Sequence, residues 1–123
     1  MKKSSASIEN RMQGIREKRE ELIAKLITSG PLCVGNVYDV MRRCGNPKCH
    51  CAAKPGHRQT LWIYTQKGCR HCKLVRRKDE ERIKQAWQNY RDFRTALREL
   101  RAINQKEMTI LRAEIEKRRL HYK

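Results

Sequence analysis

The stretch that decides the fold is Gln59–Arg77, QTLWIYTQKGCRHCKLVRR. QTLWIYTQ is rich in the β-branched and aromatic residues that suit a pleated, half-buried surface, so it predicts a strand. TQKG brings a glycine where a tight turn needs one, and CRHCKLVRR follows as a second strand, so the pair reads as a hairpin. Upstream, VGNVYDVMRRC at 34–44 has the same character and predicts a third strand. Gly and Pro punctuate the intervals, which makes residues 31–76 a small, three-stranded, turn-rich module.

On both sides the apolar residues change to helical spacing. Ile8, Met12, Ile15, Leu22, Ile23, Leu26 and Ile27 recur at steps near three and four, and predict a helix over 8–28 within an N-terminal section 1–30. Gly30 suits its C-cap and Pro31 cannot continue it. From Arg77 to the C-terminus there is neither Gly nor Pro, and Asp79, Glu80 and Glu81 open that section where carboxylates complement a helix dipole. Residues 77–123 therefore predict one long coiled-coil-like helix, of about 60 Å if some forty residues are helical. Its seam reads Ile83, Ala86/Trp87, Tyr90, Phe93, Leu97, Leu100, Asn104 or Ile103, Met108, Leu111 and Ile115, with a stutter at 100, 104 and 108. The fold class is α+β: N-terminal helix, metal-stabilised β module, long C-terminal helix. So long a seam predicts a homo-oligomer joined through that helix, the alternative being a hairpin folded back on residues 8–28.

Composition limits the function. Apolar residues make up 38% of the 123 and charged residues 35%, against roughly 45–50% and about 25% in ordinary globular domains. A large spherical core is not expected. Thirty Lys and Arg against thirteen Asp and Glu leave a net charge of +17, which points to a polyanionic partner, nucleic acid first. Residues 31–76 hold nine of the basic residues and a single carboxylate, Asp39. The expected phosphate contacts are Arg42, Arg43, Lys48, Lys54, Arg58, Arg70, Lys73, Arg76 and Arg77, on DNA ahead of RNA. Trp62 and Tyr64, on one strand face, are assigned to the core ahead of base stacking. No apolar run follows the basic start and no 18-residue apolar stretch occurs, so neither a signal peptide nor a membrane span is expected. The expected compartment is the cytoplasm, with nucleoid association if DNA is bound.

In a reducing compartment, clustered cysteines are metal ligands or reactive thiols more often than disulfides. Cys44, Cys49 and Cys51, with His57, offer three sulfurs and one imidazole within fourteen residues, the donor set of a closed Zn2+ site. Gly45, Asn46 and Pro47 are turn formers able to fold Cys44 back, and in an extended segment Cys49 and Cys51 point the same way. Cys69 and Cys72 form a rival half-site of CxxC spacing, although on a regular strand they face opposite sides. Cys33, without a close partner, reads as a packed thiol. No catalytic constellation is present: the CxxC lacks the helix N-terminus that thiol redox chemistry needs, and there is no Ser-His-Asp order, HExxH or phosphate-binding loop. A non-enzymatic protein is expected.

The string RRCGNPKCHCA, followed by PGH, the aromatic strand LWIY, KLVRR and QNYRDFRTALRELRAINQ, resembles an uncharacterised family of small prokaryotic proteins. Its signature is C-G-x-P-x-C-x-C, and its genes are commonly found beside transposases and other mobile-element genes. The resemblance covers roughly residues 35–110. Its pattern falls on Cys44, Gly45, Pro47, Cys49, Cys51, His57, Trp62, Tyr64, Asn89, Tyr90, Arg91 and Phe93; Cys69 and Cys72 lie outside it, which favours His57 as fourth ligand. The resemblance implies a metal-binding accessory of a mobile-element or DNA-recombination system. The other reading is a coiled-coil assembly subunit that docks on a transposase or recombinase without itself binding nucleic acid.

Overall fold

The computed structural model describes residues 2–43, 45–50 and 56–123, with side chains from residue 8 onward. In chain order the elements are helix α1 (Lys2–Ile27), strands β1 (Asn36–Arg42), β2 (His57–Gln66) and β3 (Cys69–Val75), a 3-10 turn over Arg77–Asp79, and helix α2 (Glu80–Arg118). The α+β class and the order helix, three strands, long helix are as the sequence indicates. Differences lie at the ends: α1 starts six residues earlier than the apolar spacing suggests, and β2 begins at His57 itself. The chain divides into two compact units, Gly30–Arg91 and the pairing of Met1–Ser29 with Asp92–Lys123, so α2 contributes to both.

In the first unit the sheet is an antiparallel meander in the order β1-β2-β3. Gln66 pairs with Cys69 across a two-residue turn in which Lys67 and Gly68 both have positive φ, 52° and 77°, as a type I′ hairpin requires. Register places Val37, Asp39, Thr60, Trp62 and Val75 on one face, which α2 covers; Tyr38, Leu61 and Leu74 lie on the other. Val37 and Thr60 are buried, at 4% and 1% exposure.

The start of α2 is tied to the centre of the sheet by ionic hydrogen bonds. Arg58 donates from both terminal nitrogens to Glu80, at 2.5 and 3.1 Å. The Thr60 hydroxyl donates to Asp39 Oδ1 at 2.7 Å and also contacts Glu80 Oε1, while Lys84 donates to Asp39 Oδ2 at 3.1 Å. A bidentate guanidinium–carboxylate pair is among the stronger polar contacts a protein makes. Further along the helix, two indoles hold the segment leading into β1: Trp62 donates to the Val34 carbonyl at 2.7 Å and Trp87 to that of Gly35 at 2.9 Å. Gly35 must be glycine. Its φ is 112°, and a Cβ there would lie 2.3 Å from the Ile63 carbonyl oxygen. Cys33 is buried, donates its backbone N–H to the Ala86 carbonyl at 3.0 Å, and has its thiol pKa pushed up by burial, as a packed thiol does. Trp62 and Tyr64 are half-buried with rings 4.5 Å apart, and Tyr64 stacks on His71 at 5.0 Å.

In the second unit, Ile15 and Leu22 of α1 are buried seven residues apart, and on α2 Ala96 and Ile110 are buried, at 3% and 5% exposure, with the half-buried Ile103 midway between them. Sevenfold spacing puts each set on one helix face. Arg19 of α1 bridges to α2 through Glu107 at 2.8 Å and Asn104 at 3.2 Å. The buried face thus runs in steps of seven without a stutter. The seam residues Leu97, Met108, Leu111 and Ile115 are 43–66% exposed and lie outside this buried face.

The Glu80 carboxyl is held down from its ordinary 4.5 to about 2, by the Arg58 hydrogen bonds first and the Thr60 contact second. A lowered folded-state pKa contributes stability that is fully present above the unfolded value and is lost as pH falls through the folded one. Unfolding free energy measured by denaturant titration is therefore expected to hold from pH 7 to about 5 and to decline between about 4.5 and 2. Glu80→Gln is expected to flatten that decline, with metal release followed in parallel so that the two acid effects are separated.

Candidate metal centre

The end of the sheet at which β1 finishes and β2 starts carries a cluster of ligating atoms. Arg42, the last residue of β1, pairs with His57, the first of β2. Between them the chain turns at Gly45 with φ 83°. The Asn46 side chain accepts the Lys48 N–H at 3.0 Å and its carbonyl accepts the Cys49 N–H at 3.0 Å, an Asx turn of the kind that aspartate and asparagine favour. That turn lifts Cys49 onto the strand end: its Sγ lies 3.1 Å from His57 Nε2 and 3.7 Å from His50 Nδ1. The two imidazole rings are 5.2 Å apart and tilted by 48°. One ligand atom from each of Cys49, His50 and His57 falls within 4.8 Å of the others, so the group could hold a metal ion.

The spacing brackets that of a small tetrahedral ion without matching it. Metal–sulfur and metal–nitrogen bonds of the lengths found for zinc place neighbouring ligand atoms about 3.3–3.6 Å apart. The two sulfur–nitrogen distances lie on either side of that range. Cys49 and His57 are half-buried and His50 is exposed.

Of the residues named from sequence, Cys49 and His57 come together; Cys44, Cys51 and Lys54 lie outside the described residues. His50 was missed. In an extended 49–51 adjacent side chains diverge, whereas residues 47–50 form turn and 3-10 backbone in which neighbours converge. The imidazole between two cysteines in KCHC was the available signal.

The structure does not bring Cys69 or Cys72 to this group. Both are exposed, and register sets Cys72 opposite Ile63 and Cys69 opposite Gln66. Ile63 lies six residue steps along the strand from His57, about 20 Å at 3.3 Å per residue. Arg58 is likewise removed from the phosphate-contact set, because its guanidinium is engaged by Glu80 and, at 3.5 Å, by Asp39. Arg42, Lys48, Arg70, Lys73, Arg76 and Arg77 are exposed, and Arg43 is exposed as well.

Comparison with family models, with curated proteins and with solved structures found no match to this chain. No helix among the described residues is long and apolar enough to cross a membrane.

His50→Ala is expected to weaken metal binding at least about tenfold, since each lost ligand removes one bond from a four-coordinate ion. Cys69→Ser is expected to leave binding unchanged. Competition against a chromophoric chelator measures both, and equal loss in the two variants would contradict the placement of the site.

Proposed function

We propose that the protein is a non-enzymatic, zinc-stabilised nucleic-acid-binding accessory protein, with DNA ahead of RNA as its ligand and nucleoid association as the consequence. The observation that carries this reading is the way charge is partitioned in the sheet unit. The one carboxylate of residues 31–76, Asp39, lies on the helix-covered face and is neutralised by Lys84 at 3.1 Å and Arg58 at 3.5 Å. Among the described residues, Arg42, Lys48, Arg70, Lys73, Arg76 and Arg77 have no carboxylate partner.

Zinc is the proposed metal because thiolate and imidazole donors at these spacings suit a borderline ion of tetrahedral preference. The residues that would hold it are Cys49, His50 and His57, with Cys44 or Cys51 as the fourth donor. Its contribution is structural. Lys48 is adjacent to Cys49, and Arg42 is the cross-strand partner of His57, so a metal that fixes the turn also fixes two of the proposed phosphate contacts. A mobile-element or recombination setting is supported by the C-G-x-P-x-C-x-C string alone.

Lys and Arg contacts to phosphate release counterions, so duplex affinity falls with salt at a slope of about −0.9 per contact. With the holoprotein and a fluorescent duplex, affinity is expected to drop at least tenfold between about 50 and 200 mM salt. Arg42→Ala is expected to reduce the slope by about one, and chelation to weaken binding. Binding that is absent, or unaffected by salt, overturns the reading.

A further inference from the structure

In the unit formed by α1 and residues 92–123, α2 has two apolar stripes and α1 covers one. The other comprises Leu97, Met108, Leu111 and Ile115, exposed at 46, 48, 43 and 66%. At 100° per residue these four fall within an arc of about 60°, so they form one continuous stripe and not scattered surface residues. A groove of about 670 Å³ lies on this face, with Leu97, Leu100 and Met108 among its lining residues and Asn104 midway. Arg101 and Arg112 also line it, no carboxylate does, and neither arginine has an ion-pair partner among the described residues.

We propose that this groove is a docking site for an acidic amphipathic helix of a partner protein. Such a helix would seat large aliphatic side chains at three- and four-residue steps on Leu97, Leu100 and Met108, and would set glutamates or aspartates against Arg101 and Arg112. Charge decides the occupant. A second copy offers its own groove, which no carboxylate lines, so in either orientation Arg101 and Arg112 gain no anionic partner from it, and in an antiparallel pairing centred on the groove Arg101 lies beside Arg112 in a chain already at +17. Nucleic acid suits the arginines but not the floor, which is aliphatic and has no aromatic ring on which a base could stack. The proposal is independent of nucleic-acid binding by the sheet unit.

The test uses the full-length holoprotein and three synthetic peptides of about 20 residues, followed by fluorescence anisotropy. One carries leucines at helical spacing with flanking glutamates, the second has the same composition with the leucines scattered round the helix, and the third replaces glutamate by lysine. The first is expected to bind at least about tenfold more tightly than either of the others. Leu97→Ser with Met108→Ser is expected to lose that preference while circular dichroism stays unchanged. Arg101→Glu with Arg112→Glu is expected to shift it to the lysine peptide. Equal binding of the scattered peptide would show attraction by net charge only and overturn the proposal. Two other outcomes overturn it as well: a concentration-dependent dimer in sedimentation that the double serine variant abolishes, and a duplex DNA affinity that falls tenfold in that variant.

Discussion

The contact on which the sheet unit depends is the paired hydrogen bond from Arg58 to Glu80. An isolated hairpin is marginal in water, and this three-stranded sheet acquires its cover from the first three turns of a helix whose own composition is strongly charged. Apolar burial in this unit is thin: among the described residues its buried hydrophobic side chains are Val37 and Cys33, with Leu61 on the opposite face of the sheet. A pair of ionic hydrogen bonds at the first turn of α2 gives the helix a fixed starting point on the central strand. From that point Ile83, Ala86, Trp87 and Asn89 reach the segment 31–35 in turn. The same pair explains why a first-turn glutamate that complements the helix dipole is here a structural anchor as well.

The sequence made the elements plain and their ends less so. Gln59–Arg77 is legible as a hairpin because β-branched and aromatic residues, a Lys-Gly turn and a second strand agree with one another. The long helix is legible because nothing in residues 77–118 interrupts it. Which face of it would be buried was not legible. Apolar residues occupy more than half its circumference, and size favoured Leu97 and Met108, whereas Ala96 and Ile110 are the buried ones. Covered and uncovered stripes differ by one residue of register, a distinction that spacing alone does not make.

The candidate metal site was half legible. Cys49 and His57 followed from donor chemistry and turn formers, but the assignment of extended backbone to residues 49–51 concealed His50. Choosing between His57 and the CxxC of β3 required the register of the hairpin, which sets Cys69 and Cys72 toward the far end of β2. Arg58 shows the converse. By composition it is one basic residue among nine, and only the fold reveals that two carboxylates, one of them twenty-two residues away, have claimed it.

Thr60 carries a consequence that reaches beyond this chain. Its hydroxyl has one hydrogen, yet it lies against two carboxylates, Asp39 and Glu80, at a position 1% exposed. Valine has the same shape but would leave both anions facing a methyl group, and alanine would leave a gap beside them. Only threonine or serine satisfies the site while Glu80 and Asp39 are acidic. Positions 39, 58, 60 and 80 are therefore chemically linked, and in any set of relatives they should change together: where the hydroxyl is lost, a carboxylate and its arginine should be lost with it. Such covariation would identify chains sharing this helix-to-sheet joint even where the cysteine string has diverged.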